Sequence, residues 1–156
     1  MAVCELISVG TEILLGDILN TDAQYLSIEL AKLGISVIHQ STVGDNRERL
    51  LAQLDEAAKR SDIIILSGGL GPTPDDLTKE VCCEFFGKEM FLHEPTVEKI
   101  KKYFSSKGIE MAQNNLKQAM LPKDCVIFPN DNGTAPGMAI EKDGVHILVL
   151  PGPPRE

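Results

Sequence analysis

Two spacings of apolar residues alternate along the chain and predict its secondary structure. Short runs rich in β-branched residues predict strands over residues 3–9, 35–43, 62–66, 125–128, 138–141 and 145–150. Apolar positions at helical spacing predict helices over residues 21–33, 47–59, 76–87, 96–106 and 111–120. Because strands and helices alternate through short turns, we expect right-handed βαβ units, an α/β fold and a mostly parallel sheet. The last two strands meet at Lys142-Asp143-Gly144, which predicts an antiparallel hairpin.

Length and composition predict a single domain over residues 1–156. The chain has 156 residues, of which 43% are apolar and 24% charged, as in ordinary globular domains. No apolar run is as long as a membrane span requires, so we expect no membrane contact. The N-terminal residues do not resemble a secretory signal, which predicts a cytoplasmic location. The chain stops abruptly at Arg155-Glu156, which indicates a trimmed protein or the first domain of a longer one.

The charge balance argues against a nucleic-acid partner. Lys and Arg number 15 and Asp and Glu number 23, giving a net charge of −8. An acidic chain has no basic surface for a phosphate backbone, so an anionic ligand must be bound locally by backbone amides, a helix end or a metal. The four cysteines lack zinc-type pairing and the density of a disulfide scaffold, which predicts free thiols.

The most informative stretch follows the strand at residues 62–66 and leads into a helix. It has the sequence Ser67-Gly-Gly-Leu-Gly-Pro-Thr-Pro-Asp-Asp-Leu-Thr78. Glycines expose backbone amides, and a helix start adds the positive end of its dipole, so this turn can hold a phosphate or pyrophosphate. Asp75 and Asp76 would repel that anion unless a divalent cation such as Mg²⁺ lay between them. The alternative is a Gly-Pro turn closed by an Asp N-cap.

Turns after parallel strands meet at one edge of the sheet, which brings more acids to this stretch. Glu12, Asp45, Asp75 and Asp76 could share a divalent cation and position a water there. The alternative interpretation leaves Asp45 as a helix N-cap and Glu12 as a solvated turn residue. Lys79, one turn further on, is either exposed on a helix or reaches back to a ligand phosphate.

Several blocks of the sequence, in order, resemble the CinA family of competence/damage-inducible proteins. The glycine stretch is similar to the Gly-Gly-x-Gly-x-Thr-x-x-Asp motif of the molybdopterin-binding fold. The CinA resemblance rests on that stretch and on Ile7-Ser-Val-Gly-Thr-Glu-Ile-Leu-Leu-Gly16, Asn20-Thr21, Val43-Gly-Asp-Asn46, Asn132-Gly-Thr-Ala-Pro-Gly137 and Leu150-Pro-Gly-Pro-Pro-Arg-Glu156. Blocks that match from one end of the chain to the other are more specific than a single motif.

The resemblance implies a three-layer α/β/α sandwich, often assembled into homo-oligomers. CinA-like proteins are associated with metal-dependent ADP-ribose pyrophosphatase activity, whereas molybdopterin relatives adenylylate or carry molybdopterin. Longer CinA proteins carry a C-terminal domain that resembles nicotinamide mononucleotide deamidases, to which nothing in this sequence corresponds.

The leading hypothesis is therefore metal-dependent hydrolysis of a nucleoside diphosphate sugar, with ADP-ribose as the best candidate. The alternatives are a molybdopterin adenylyltransferase or binding domain and a non-catalytic nucleotide sensor. Asp76, with Asp75 or Asp45, would hold the cation, and Glu12 or Asp45 would orient the water. The amides of Gly68, Gly69, Gly71 and Thr73 would cradle the pyrophosphate, and Ser67 would add a hydroxyl contact. By resemblance, further ligand contacts are assigned to Thr11, Asn20, Gly133, Thr134, Gly152 and Pro153.

Overall fold

The fold is built on a six-stranded sheet in the order β2-β1-β3-β8-β7-β6. It was obtained as a computed structural model that describes residues 2–156. Strands β2, β1, β3 and β8 are parallel, and β7 runs antiparallel to both of its neighbours. The strands are β1 (Val3–Val9), β2 (Ser36–Val43), β3 (Ile63–Ser67), β6 (Val126–Phe128), β7 (Gly137–Lys142) and β8 (Val145–Leu150). The predicted α/β class, mostly parallel sheet and C-terminal hairpin are confirmed.

Helices cover both faces of the sheet and produce the three-layer arrangement. They are α1 (Thr11–Leu15), α2 (Thr21–Lys32), α3 (Arg47–Ala58), α4 (Thr78–Phe85) and α5 (Glu94–Ser106), followed by a 3₁₀ helix at Gln113–Ala119. A separate two-stranded antiparallel sheet pairs β4 (Met90–Leu92) with β5 (Met120–Pro122). Among residues 2–156, no helix is both long enough and apolar enough to span a membrane.

Alternating side chains of β1 divide the core between the two faces. Ile7 and Val9 belong to the larger cluster, which is formed with residues of α3 and α4, whereas Cys4 and Leu6 pack with residues of α2. This period-two division is what a strand buried on both faces produces. The sheet thereby holds the carboxyl ends of its parallel strands at a common edge.

One buried residue of β1 is charged. Glu5 is fully buried, and its carboxylate accepts two hydrogen bonds of 2.9 Å from Arg60 and one of 2.8 Å from Gln53. A buried carboxylate is tolerated when its oxygens are satisfied in this way. Because these partners lie on or directly after α3, the interaction fixes that helix against β1.

The cysteines are free thiols, as the sequence predicts. Cys4, Cys82 and Cys83 are buried and Cys125 is half-buried, and none forms a disulfide among the described residues. Burial raises the pKa of the Cys4 thiol to about 11 and that of Cys83 to about 12. The two groups therefore remain protonated at neutral pH and behave as small apolar core residues.

The structure departs from the predicted elements in several places. Residues 11–15, of which only Thr11 and Glu12 are predicted as a turn, form the short helix α1. Residues 113–119 form a 3₁₀ helix rather than the α-helix predicted over residues 111–120. Strands β4 and β5 have three residues each, too few to show a period in the sequence. Helix α4 begins at Thr78 rather than at residue 76, which leaves both aspartates in the preceding loop.

Candidate functional site

A cavity of about 510 Å³ opens at the carboxyl edge of the parallel strands. Its walls come from the loops after β1, β2, β3 and β8, together with the connection before β7 and Gln118. This is the edge at which open α/β sheets bind ligands, and the size suits a small molecule. The predicted site residues that line it are Glu12, Asp45, Ser67, Gly68, Gly69, Gly71, Thr73, Asp75, Asp76, Thr134, Gly152 and Pro153.

Three residues assigned to ligand contact by resemblance lie outside the cavity wall. The Asn20 side chain caps α2 by accepting from the Ala23 amide (3.2 Å), and it donates to the Ser8 hydroxyl (2.8 Å). Thr11 donates to the Asp45 carboxylate from its amide (3.1 Å) and its hydroxyl (2.9 Å). Gly133 faces Asn130 and Glu156. Thr11 and Asn20 thus hold neighbouring groups at the rim, and none of the three residues lines the cavity.

Gly68 fixes the start of the glycine loop, defined here as residues 68–76. Its amide donates to the carbonyl oxygen of Leu150 (3.0 Å), and its φ of 98° lies in the region that side chains avoid. A Cβ at this position would overlap the carbonyl oxygen of Val9. The loop therefore begins in close contact with the ends of β1 and β8, which requires glycine for both conformation and space.

The backbone amides of the loop divide into engaged and unengaged groups. The amides of Gly68 and Thr73 have acceptors, on Leu150 and on the Asp76 carboxylate (3.0 Å) respectively. The amides of residues 69, 70 and 71 have no acceptor anywhere in the described chain. The amides of Gly68 and Thr73, also predicted to bind the pyrophosphate, are thus already engaged in this structure. The unengaged amides of residues 69–71 form the narrower candidate cradle.

Neither Asp45 nor Asp76 is a helix cap, so the alternative interpretation of these acids is wrong. The cap of α3 is Asn46, whose side chain accepts from the Arg49 amide (3.0 Å), and α4 has Leu77 at its N-cap with no side-chain hydrogen bond. The Asp76 carboxylate instead accepts from the Thr73 amide and hydroxyl, the latter at 2.5 Å. Asp76 thus closes its own loop at the cavity wall.

The cavity wall is strongly acidic. Six carboxylate side chains line it and, within residues 2–156, no Lys, Arg or His does; the acids are Glu12, Asp22, Asp45, Asp75, Asp76 and Glu156. Burial raises the pKa of Asp22. A phosphate in this cavity would be repelled unless a cation offset that charge.

The carboxylates do not form a complete metal site by themselves. No three His, Cys, Asp or Glu side chains of the described residues stand close enough to hold an ion. Mg²⁺ is commonly held by one or two carboxylates, with waters and substrate phosphate oxygens completing the octahedron. A pair of these acids, Asp76 with Asp75 or Asp45, fits that partial arrangement, in which the ligand supplies the remaining oxygens.

Three important residues were missed or misjudged from the sequence. Lys79 is neither exposed nor directed at a ligand: it is buried, and Nζ donates to the carbonyl oxygens of Lys117 (3.0 Å) and Gln118 (3.1 Å). Burial lowers the pKa of Lys79 to about 8. Asp22 and Gln118 line the cavity without any local motif, since tertiary packing brings them there.

Gly69 offers a direct test of the loop geometry. Its φ is 68°, and a Cβ there would overlap the buried hydroxyl of Thr78, whereas Gly144 has a φ of 81° and open space around it. We expect Gly144→Ala to lose about 1–2 kcal/mol of unfolding free energy for the left-handed conformation alone. We expect Gly69→Ala to lose about 1–3 kcal/mol more, because of the overlap. Urea unfolding of both variants measures the difference, and equal losses would contradict this description of the loop.

Comparisons with known proteins agree with this geometry. A family model described as "Probable molybdopterin binding domain" matches residues 5–156. A competence-damage inducible protein, by name, from Clostridioides difficile is 59% identical over 97% of this chain and 36% of its own length. A CinA-like protein from Dictyoglomus turgidum is 54% identical over 98% of this chain and 37% of its own length. The chain thus spans little more than a third of these curated relatives.

Solved structures give the same result for the fold. The crystal structure of the protein CinA from Thermoplasma acidophilum is 33% identical and superposes with a TM-score of 0.89, covering 99% of this chain and 90% of that one. The molybdopterin biosynthesis enzyme MoaB from Thermus thermophilus is 20% identical with a TM-score of 0.66, over 99% of this chain and 84% of that one, which supports the fold alone. The chain belongs to the molybdopterin-binding domain family, and within it to the CinA proteins.

Proposed function

We propose that the cavity binds a small molecule through a phosphate or pyrophosphate group. The observation that carries this proposal is the row of unengaged amides at residues 69–71, set in the wall of a cavity of about 510 Å³. Unpaired backbone donors in a glycine loop are the groups that bind phosphate oxygens where no basic side chain is present.

A molybdopterin-type ligand is the first candidate, and the comparisons favour it. The matching family is described by molybdopterin binding, and a structural neighbour is named as a molybdopterin biosynthesis enzyme. A pterin with a phosphate-bearing side chain would place that phosphate on the glycine loop and its ring system in the rest of the cavity. Adenylylation of such a ligand would also bring a nucleotide to the same loop.

Hydrolysis of ADP-ribose is the second candidate, and the acidic wall favours it. A divalent cation held by Asp76 with Asp75 or Asp45 would neutralise charge on the phosphates. Glu12 or Asp45 would orient a water and accept its proton. The water oxygen would bond to one phosphorus as the bridging P–O bond breaks, which yields AMP and ribose 5-phosphate. A site that only binds one of these ligands would be a sensor.

One assay separates these possibilities. The protein is incubated with ADP-ribose, related dinucleotides and ATP plus molybdopterin across a panel of divalent metals, and products and thermal shifts are measured. We expect a cation-dependent thermal shift with at least one of these ligands, and the products identify the reaction. Binding without products would select the sensor, and no shift with any ligand and metal would contradict the proposed site.

Asp76→Asn tests the role of the acidic wall. Asn retains an oxygen that can accept from the Thr73 amide, so the loop is preserved while the charge is lost. We expect cation-dependent turnover, or cation-dependent binding where there is no turnover, to fall at least about 100-fold. The matched control is Asp124→Asn, an exposed acid outside the cavity, which leaves both unchanged. Equal behaviour of the two variants would contradict a role for Asp76.

We also propose that the protein is a homo-oligomer in the cytoplasm. An apolar patch of exposed side chains on α1, α2 and their connection supports assembly; it consists of Leu14, Leu15, Ile18, Leu19, Tyr25 and Ile28, each 50–85% exposed. Contiguous exposed apolar surface of this kind marks interaction sites. The free thiols support the location, since reduced cysteines persist in the cytoplasm.

Light scattering of the purified chain tests the assembly. We expect a mass that is a multiple of the 17.0 kDa chain, and a single-chain mass for Leu15→Glu, because a charge cannot be buried at the patch. Leu33→Glu is the matched control, since Leu33 is 74% exposed but lies at the far end of α2. A wild-type mass of a single chain at high concentration would contradict the proposal.

A further inference from the structure

The 3₁₀ helix Gln113–Ala119 contacts the glycine loop through two side chains. Lys117 Nζ donates to the carbonyl oxygen of Thr73 (2.8 Å) and also to that of Asp76. Gln118 Nε2 donates to the carbonyl oxygen of Leu70 (3.3 Å). Lys117 does not line the cavity, so it acts on the loop from outside the ligand site.

Lys117 holds both ends of the turn that carries the two aspartates. Within that turn the Asp76 amide donates to the Thr73 carbonyl oxygen (3.2 Å), and the Thr73 amide donates to the Asp76 carboxylate (3.0 Å). Lys117 adds a charged donor to the carbonyls of the same two residues, and hydrogen bonds from charged groups are the stronger ones. The turn that carries Asp75 and Asp76 is thus held by a lysine that does not line the cavity.

Gln118 fixes the peptide between Leu70 and Gly71. A trans peptide is planar, so its carbonyl and its amide point in opposite directions. Because Gln118 binds the Leu70 carbonyl, the Gly71 amide is held pointing away from Gln118 Nε2. Asn115 donates to Gln118 Oε1 (3.2 Å), which orients the glutamine amide for this contact. The orientation of the Gly71 amide, which is one of the unengaged amides, is therefore fixed by the Gln118 side chain outside the loop.

Lys79 joins this 3₁₀ helix to α4. Its buried ammonium donates to the carbonyl oxygens of Lys117 and Gln118, the two residues that hold the loop. Since α4 follows the glycine loop directly, the contacts form a closed ring from the loop to the 3₁₀ helix, to α4 and back. The contacts that Lys79 makes to Gln118 and that Gln118 makes to Asn115 and Leu70 are buried, and a broken bond there leaves a buried group unpaired, which favours one arrangement.

We propose that Lys117 and Gln118 are positioning residues that hold the glycine loop in its phosphate-binding conformation before any ligand arrives. The part of this inference that concerns phosphate binding rests on the proposed function, whereas the part that concerns the conformation of the loop does not. Preformed donors bind an anion without the cost of ordering the loop at the moment of binding. A variant that keeps the fold but lacks these two side chains should therefore have a mobile glycine loop and weak phosphate binding.

The test uses Lys117→Met and Gln118→Met, which keep side-chain length and remove the donors. NMR-detected amide hydrogen exchange in the ligand-free protein measures how well the amides of the glycine loop are protected. We expect the Thr73 and Asp76 amides to exchange at least about tenfold faster in Lys117→Met, with the amides of β3 unchanged as evidence of an intact fold. Lys117→Arg, which restores a charged donor, should recover most of the protection. Lys102→Met, an exposed lysine on α5, is the control and leaves the loop amides unchanged.

Calorimetry with inorganic pyrophosphate and MgCl₂ measures the affinity of each variant for a phosphate ligand. We expect both methionine variants to bind at least about tenfold more weakly than the wild type. Lys117→Met carries the test of positioning, because Lys117 lies outside the cavity that Gln118 lines. Unchanged loop exchange in a folded Lys117→Met would overturn the inference. Wild-type protein that binds no pyrophosphate would instead count against the proposed function, while the exchange experiment would still decide the role of Lys117.

Discussion

The close packing of the ends of β1, β3 and β8 is the constraint on which the rest of the site depends. Gly68 donates its amide to Leu150, and its Cα lies where any side chain would overlap the Val9 carbonyl. The glycine loop can leave the sheet only in the direction that this contact permits. Because parallel strands end at a common edge, the same packing brings the loops after β1, β2 and β8 around it. The cavity is thus a consequence of strand order and of one glycine.

The cavity combines backbone hydrogen-bond donors with an acidic wall. The backbone at residues 69–71 offers donors to an anion, while every ionisable side chain described in the cavity wall is acidic. A phosphate bound there would need a cation to offset the acidic charge, and for this reason the proposed ligand is a nucleotide or pterin phosphate together with a divalent metal. The hydrogen bonds from Thr11 to Asp45 and from Thr73 to Asp76 orient the acids without neutralising them.

The elements and the edge that carries the site could be predicted because they follow from local patterns. The β-branched run at residues 63–66 and the helical spacing from Leu50 to Ala57 have clear periods, and parallel topology then places their turns together. The predicted cluster of Glu12, Asp45 and Asp76 at one cavity was correct for that reason. Helix α1 was missed because five residues after Gly10 contain too little of a period to distinguish a helix from a turn.

Roles that depend on tertiary hydrogen bonds could not be predicted. Nothing local distinguishes Lys79 from an exposed helical lysine, and its burial follows from the 3₁₀ helix that packs over it. The capping role of Asn20 could not be predicted for a similar reason, since an asparagine before a helix can serve as a cap or face a cavity. Which loop amides remain unengaged depends on Leu150 and on the Asp76 carboxylate, and neither partner is fixed by the glycine spacing.

The central claim is that a phosphate and a divalent cation bind together at the glycine loop. A crystal structure of the protein grown with pyrophosphate and Mn²⁺, with anomalous diffraction to locate the metal, tests it most directly. We expect pyrophosphate oxygens within hydrogen-bond distance of the amides of residues 69–71, and one Mn²⁺ bound between those oxygens and the Asp76 carboxylate. Pyrophosphate bound elsewhere, or bound at the loop with no metal at saturating Mn²⁺, would contradict it.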